Sequence, residues 1–327
     1  MKKGLLLINL GTPQRPDLFA VAQFLREFLA DKRVIDLPAV LRYILLYGII
    51  LPFRTRQSTH AYQAIWREEG SPLLFHSQAL LHQVQARLGE SYQVALGMRY
   101  GKPSIAEALE QLQACEHLTI LPLYPQYSSA ATGSSIEKVL ETLAPQAVFP
   151  SLHIIRDFYQ DAGFIQAQAD EIKPYIENHD YILFSYHGLP ESHLKKAGCK
   201  TICKHPCPKL ANPSCYRAQC FQTTSLIADA LHLSTNQYSS AFQSRLGKTP
   251  WIQPYTDDSL KTLAAHGIKR LAIVCPSFVA DCLETLEEIG IRAKEQWLSL
   301  GGEQCSLIPC LNTSDRWVEA IVDLVAK

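Results

Sequence analysis

The sequence predicts an α/β protein in two domains, each built on a mostly parallel sheet. Three observations lead there. At 327 residues and 47% hydrophobic, the chain can bury more core than one domain normally holds. Four short apolar runs have the length of buried strands, and helical patterns sit beside them, the alternation that builds parallel sheets. Two distant segments, ACEHLTILPLYPQYS and AHGIKRLAIVCPSFVAD, share one order of helix end, apolar strand, proline and aromatic. That echo fits either two similar halves or the general likeness of α/β units.

The first run, GLLLINL at 4–10, follows a basic start. It is short, reaches Asn9 quickly and has no small-residue cleavage site, so it reads as a strand and not as a signal peptide. YILLYGIILPF at 43–53 is apolar but shorter than the roughly 18 residues of a membrane span. It reads either as a helix resting on a bilayer surface or as a buried helix. SIAEALEQLQACEH is helical and leads into the strand LTILPLY at 118–124. GFIQAQADEIKPYI leads into YILFSYH at 181–187, and SLKTLAAHGIKR into LAIVCPSF at 271–278. ADCLETLEEIG at 280–290 continues as a helix. A last helix over about 314–327 is expected to pack back on the first domain. A boundary near 170 gives domains 1–170 and 171–327, and no low-complexity linker separates them.

Lys and Arg number 31, as do Asp and Glu, so the balance gives no reason to expect nucleic acid or a strongly anionic partner. With no export signal and no spanning segment, a cytoplasmic protein with reduced thiols is expected. There, clustered cysteines favour metal over disulfides.

Ligands of open α/β sheets bind beyond the carboxyl ends of the strands. Four loops lie there: GTPQRP, PQYSSAATGSS, GLPESH and VADCLETLEE. His187 ends a strand, a place that suits a base or metal ligand, although a lone histidine there is more often structural. In the helical reading of 280–290, Asp281, Glu284 and Glu288 share one face, with Glu287 beside Glu284. Such a row is usually solvated. Partly buried, it could carry protons or divalent cations. Neither GTP at 11–13 nor TGSS at 132–135 has phosphate-loop spacing. Arg99, Tyr100, Tyr124, Tyr127 and Trp251 could together line a pocket for a flat, apolar, anionic ligand.

GCKTICKHPCPKLANPSCYRAQC at 198–220 holds five of the ten cysteines. Cys199, Cys203, Cys207, Cys215 and Cys220 are separated by three, three, seven and four residues. This irregular set suits an iron–sulfur cluster. Zinc, with His205 or His193 as substitute ligands, is the alternative.

The strings LLINLGTP, GSPL, LPLYPQYSS, SYHGLP, FQSRLGKTPWIQPYTDD and DCLETLEEIG occur in this order over nearly the whole chain. Together they closely resemble the ferrochelatases, which insert ferrous iron into a porphyrin to make haem. The resemblance implies two Rossmann-like, chelatase-type domains with a porphyrin cleft between them. It implies that His187 and Glu284 are the catalytic pair and meet the substrate iron. Asp281 and Glu287 accompany Glu284. Arg99 and Tyr100 become pocket residues, Trp251 an aromatic beside the macrocycle, and Tyr124 and Ser128 the loop over the cleft. Leu10 stands where the coproporphyrin-using branch has tyrosine, which favours protoporphyrin IX. Segment 43–53 falls at the family's active-site lip, so contact with the inner face of the membrane is one expectation. An upstream porphyrin-producing oxidase is another expected partner.

Some relatives carry a [2Fe–2S] cluster in a short internal segment. The resemblance therefore favours Cys199, Cys203, Cys207 and Cys215 as ligands, with Cys220 as substitute and zinc still open. Two other functions stay open: a non-catalytic porphyrin or haem carrier on this fold, and a chelatase for another tetrapyrrole and metal.

Overall fold

The computed structural model describes residues 2–203, 212–245, 247 and 249–327. The chain divides into two compact units. Unit 1 comprises Met1–Tyr124, Ser128–Asp157 and Ile321–Lys327, and unit 2 comprises Pro125–Tyr127 and Phe158–Ala320.

Unit 1 is built on four parallel strands: β1 (Lys3–Gly11), β2 (Tyr92–Tyr100), β3 (His117–Pro122) and β4 (Ser151–Ile154), in the order β2-β1-β3-β4. Leu5, Leu6, Leu7 and Ile8 of β1 are fully buried, which is why this strand reads as a continuous apolar run. Ile105, Leu109 and Val139 from flanking helices pack on Leu6, Ile8 and Ile120. The helix Ile105–Gln111 starts at a capping box, in which Ser104 and Glu107 each satisfy the other's backbone N–H. β1 ends at Gly11, with φ of 109°. A Cβ there would lie 1.7 Å from the Tyr100 carbonyl oxygen, so only glycine lets the first loop leave beside β2.

Unit 2 repeats the plan with β5 (Tyr181–His187), β6 (Tyr238–Gln243), β7 (Arg270–Val274) and β8 (Gln304–Leu307), parallel in the order β6-β5-β7-β8. Leu183, Ala241, Leu260, Ile273, Ile289 and Trp297 form its main core. In each sheet the first strand lies inside, between the second and the third. The two echoing sequence segments hold β3 and β7, the same place in each sheet.

The predicted helices appear as Ile105–Gln111, Ala162–Ile172, Thr256–Ala265 and Asp315–Ala326. Segment 43–53 is helical, with a π-helical turn at Leu46–Ile50. It is not a buried helix: Ile44, Tyr47, Ile49 and Phe53 are 63%, 53%, 56% and 75% exposed, and of these turns only Leu46 is enclosed. Among the described residues, no helix is long and apolar enough to cross a membrane. Two further π-helical turns, Ser129–Gly133 and Glu288–Ala293, fall within or beside loops singled out in the sequence. Such turns recur at functional sites, because they re-aim side chains against the regular helical pitch.

Candidate active site

His187 is the last residue of β5, half-buried and in register with Gln243 at the end of β6. Its Nδ1 lies 2.6 Å from the Gly188 carbonyl oxygen. A carbonyl can only accept, so Nδ1 carries a proton, and in the neutral imidazole the lone pair is then on Nε2. The Ser277 hydroxyl accepts from the His187 backbone N–H at 3.1 Å, which ties β5 to the loop after β7. The Tyr216 hydroxyl donates to the His187 carbonyl at 2.8 Å. The Phe278 ring stands edge-on to the imidazole, 6.3 Å between centroids. Gly188 is required here as well. A Cβ would meet the Gln243 carbonyl oxygen at 2.7 Å and Trp251 Cε3 at 3.3 Å. Trp251, buried, is thus packed against Gly188, the residue that follows His187.

The acid row behaves differently from its sequence pattern. A continuous helix would place Asp281, Glu284 and Glu288 on one face. In the structure the helix begins only at Leu283, runs to Leu286 and gives way to the π turn Glu288–Ala293. Asp281 precedes the helix and is 6% exposed. Its carboxylate accepts from Asn312 Nδ2 at 2.8 Å and from the Cys310 backbone N–H at 3.2 Å. Glu287 pairs with Arg292 at 2.9 Å. Glu288 accepts from the Ser244 N–H at 2.8 Å and the Ser244 hydroxyl at 2.6 Å. Each carboxylate has its own partner, so the row is split into separate jobs.

Glu284 is the member held by its backbone. Its carbonyl accepts from Gln243 Nε2 at 2.7 Å, and its half-buried carboxylate interacts with the Cys282 thiol. Burial first, and the charge of Glu284 second, push that thiol well up, so it stays protonated and donates. Cys275 and Cys310 are likewise pushed up by burial and by nearby carboxylates.

Unit 1 holds the other predicted pocket residues. Arg99 Nη2 donates to Asp31 at 2.6 Å, and its Nε to the Ser134 hydroxyl at 2.6 Å. The Tyr100 and Ser134 hydroxyls both donate to the same Asp31 oxygen, at 2.9 and 2.5 Å. Burial alone would raise the Asp31 carboxyl. Hydrogen bonds from Ser134, the Arg33 N–H and Tyr100, with the Arg99 charge, outweigh it and hold the group below its usual range. Burial pushes the Tyr100 and Tyr124 hydroxyls up. The Ser128 hydroxyl accepts from the Ala131 N–H at 3.1 Å and caps the π turn that follows it. Leu10 sits half-buried near the end of β1.

In the cysteine-rich segment, Cys199, Cys203 and Cys215 line one small cavity with Leu194, Ile202 and the buried Arg217. Asn212 Nδ2 approaches Cys199 Sγ at 3.5 Å. Cys220 is fully buried in the helix Tyr216–Ala230 and does not line that cavity. His193 lies on the short helix Glu191–Lys196. Cys207 and His205 lie outside the described residues. Among the described residues, no group of three or more His, Cys, Asp or Glu side chains has the arrangement to hold a metal ion.

Asp31, Tyr216, Gln243 and Ser244 were not picked out from the sequence. Gln243, at the end of β6, and Ser244 lie inside the string FQSRLG, which carries no local mark of their partners. Nothing in LADKR marks Asp31.

A histidine with a free ring nitrogen at one strand end, and an acid beyond the next strand, sit on a fold shared with metal chelatases. The solved structure of SirB from Bacillus subtilis with Fe3+ superposes with a TM-score of 0.56, covering 100% of this chain and 95% of that one at 11% identity, a likeness of fold. The ferrochelatase family model matches residues 2–327. A curated ferrochelatase of Legionella pneumophila is 60% identical over 99% of both chains. One from Coxiella burnetii is 50% identical over 100% of this chain and 94% of its own. The chain belongs to the ferrochelatase family, lyase-type enzymes that insert ferrous iron into protoporphyrin to make protohaem.

Proposed function

We propose that this chain inserts ferrous iron into protoporphyrin IX with His187 and Glu284 as its catalytic pair. The observation that carries the assignment is the Nδ1 contact of His187 with the Gly188 carbonyl, which in the neutral imidazole places the proton on Nδ1 and leaves the Nε2 lone pair available. Insertion needs three things: iron must shed water, the planar macrocycle must pucker, and two pyrrole N–H protons must leave. A neutral Nε2 can accept one such proton or meet the incoming iron. The Glu284 carboxylate is the complementary group. It faces a neutral thiol, whereas Asp281, Glu287 and Glu288 are bound to Asn312, Arg292 and Ser244. In this reading Asp281, Glu287 and Glu288 support Glu284 by fixing the backbone around it, and proton release starts from Glu284 alone. Apolar binding of the macrocycle offsets the cost of distorting it. Trp251, packed against Gly188, is the aromatic surface for that contact. Arg99, Tyr100, Tyr124 and Ser128 remain the pocket residues that the sequence resemblance proposes. Leu10 supports protoporphyrin IX over a more carboxylated porphyrin.

Two accessory features belong to the same reading. A [2Fe–2S] cluster held by Cys199, Cys203, Cys215 and Cys207, with Cys220 as substitute, is supported by the soft donor set and the shared cavity. Buried Arg217 beside those thiolates complements the negative charge of such a cluster. Bound there, the cluster would supply a one-electron couple and cross-link its own loop, and iron insertion does not pass through it. Peripheral membrane contact is supported by the exposed apolar face at 37–53. Arg42, Arg54 and Arg56 lie in or beside it, and no acid occurs from 37 to 67.

Porphyrin fluorescence tests the catalytic assignment. His187→Ala is expected to lose at least about 100-fold in turnover, the scale of a lost general base, while porphyrin still quenches on binding. Near-normal turnover in that variant would remove His187 from the mechanism.

A further inference from the structure

Gln243 joins the two halves of the proposed catalytic pair by three bonds. Its side-chain Nε2 donates to the Glu284 carbonyl at 2.7 Å. Its own carbonyl accepts from the Gly188 N–H at 2.8 Å. The Gly188 carbonyl in turn accepts from His187 Nδ1 at 2.6 Å. The imidazole of His187 and the backbone of Glu284 are therefore both referred to this one residue. Gln243 is 4% exposed, which keeps water from competing for these bonds.

The neighbours fix which way the amide faces. Ser185 Oγ lies 2.7 Å from Gln243 Oε1 and 2.8 Å from Thr256 Oγ1. A flipped amide would set Oε1 against the Glu284 carbonyl, two acceptors in contact. With Nε2 on Glu284, Oε1 must accept the single Ser185 proton, and Thr256 then donates to Ser185. The result is one directed chain from Thr256 through Ser185 and Gln243 to Glu284. Every side chain in it is buried. The next residue grips the same acid segment. Ser244 holds the Glu288 carboxylate with its N–H and hydroxyl while its φ is +66°, a left-handed conformation that serine seldom adopts.

We infer that Gln243 is a positioning residue: through the Glu284 carbonyl and the Gly188 N–H it sets the His187 imidazole and the Glu284 segment in one fixed relation. This rests on His187 and Glu284 being the catalytic pair. Gln243 touches neither iron nor porphyrin in this proposal, so its loss degrades chemistry and leaves binding alone.

The test is a double-mutant cycle in the full chain, with kcat and the porphyrin KM measured separately. Gln243→Met keeps the volume and removes both amide bonds. It is expected to lower kcat by about tenfold or more with KM within about threefold, the pattern of a lost transition-state relation. In the His187→Ala background the same change should cost less than about twofold, because the relation it protects is already gone. An equal fractional loss in both backgrounds would mean a general loss of folded enzyme, and a raised KM at unchanged kcat would mean a binding role. Either overturns the proposal. Should Gln243→Met fail to fold by circular dichroism, Ser185→Ala removes the hydroxyl donor to Oε1 and loosens the amide while leaving Gln243 in place. It is expected to lower kcat about threefold or more under the same cycle, and an unchanged kcat contradicts the proposal. Wild-type protein without turnover would remove the underlying assignment as well. Wild-type turnover with an indifferent Gln243→Met removes the positioning role alone.

Discussion

At the scale of single residues, the site depends on which groups are already engaged. His187 commits Nδ1 to a carbonyl and keeps Nε2. Asp31 is the counterpart in unit 1, a carboxylate that gathers Arg99, Tyr100 and Ser134. Its depressed pKa makes a pH-dependent contribution to stability. The contribution is fully present above the unfolded carboxylate value of about 4 and is lost as pH falls through the lower folded value. Asp31→Asn should therefore be less stable than wild type at neutral pH by about 1–3 kcal/mol, the cost of leaving buried donors poorly matched. That difference should narrow below about pH 4. Denaturant midpoints at pH 7 and at pH 3 measure it. A difference that does not change with pH would mean that Asp31 is not the charged centre of this cluster. His187 and Glu284 stood out as candidates through the motifs that contain them. Asp31 and Gln243 did not, because their importance lies in partners 68 and 41 residues away, which no local pattern reveals.

At the scale of elements, the four strands with apolar runs were legible because they lie inside their sheets or carry mainly buried residues. β6, YSSAFQ, is polar over its first half, and β4 and β8 have only four residues each. Such strands carry no period strong enough to read. The π turns were also invisible: a 280–290 helix at ordinary pitch aligns acids that the real segment separates. The apolar face at 37–53 makes a separate claim. Wild-type protein should float with anionic liposomes, and Ile44→Asp or Phe53→Asp, both on exposed positions, should reduce the bound fraction severalfold. Wild type that stays unbound would exclude membrane contact through this face. For the cysteine-rich segment, anaerobically purified protein should carry about two iron and two sulfide per chain and absorb in the visible through thiolate-to-iron charge transfer. One zinc per chain without sulfide would replace the cluster with a zinc loop.

At the scale of the whole molecule, one supersecondary plan occurs twice, with the second strand outermost and the first and third inside. The proposed catalytic pair and the Gln243 link inferred for it all belong to unit 2, at the carboxyl ends of β5 and β6 and beyond β7, where an open α/β sheet presents its ligand end. That placement was legible as four candidate loops. The link among them was not, since it runs through backbone carbonyls. The most direct measurement is anaerobic: catalytic amounts of the chain mixed with excess protoporphyrin IX and ferrous iron, with porphyrin fluorescence and haem absorbance followed together. Many haem molecules formed per chain, at a rate proportional to protein, is the expected result. Fluorescence loss that stops at one porphyrin per chain, with no haem band, would make the protein a carrier and contradict the catalytic reading.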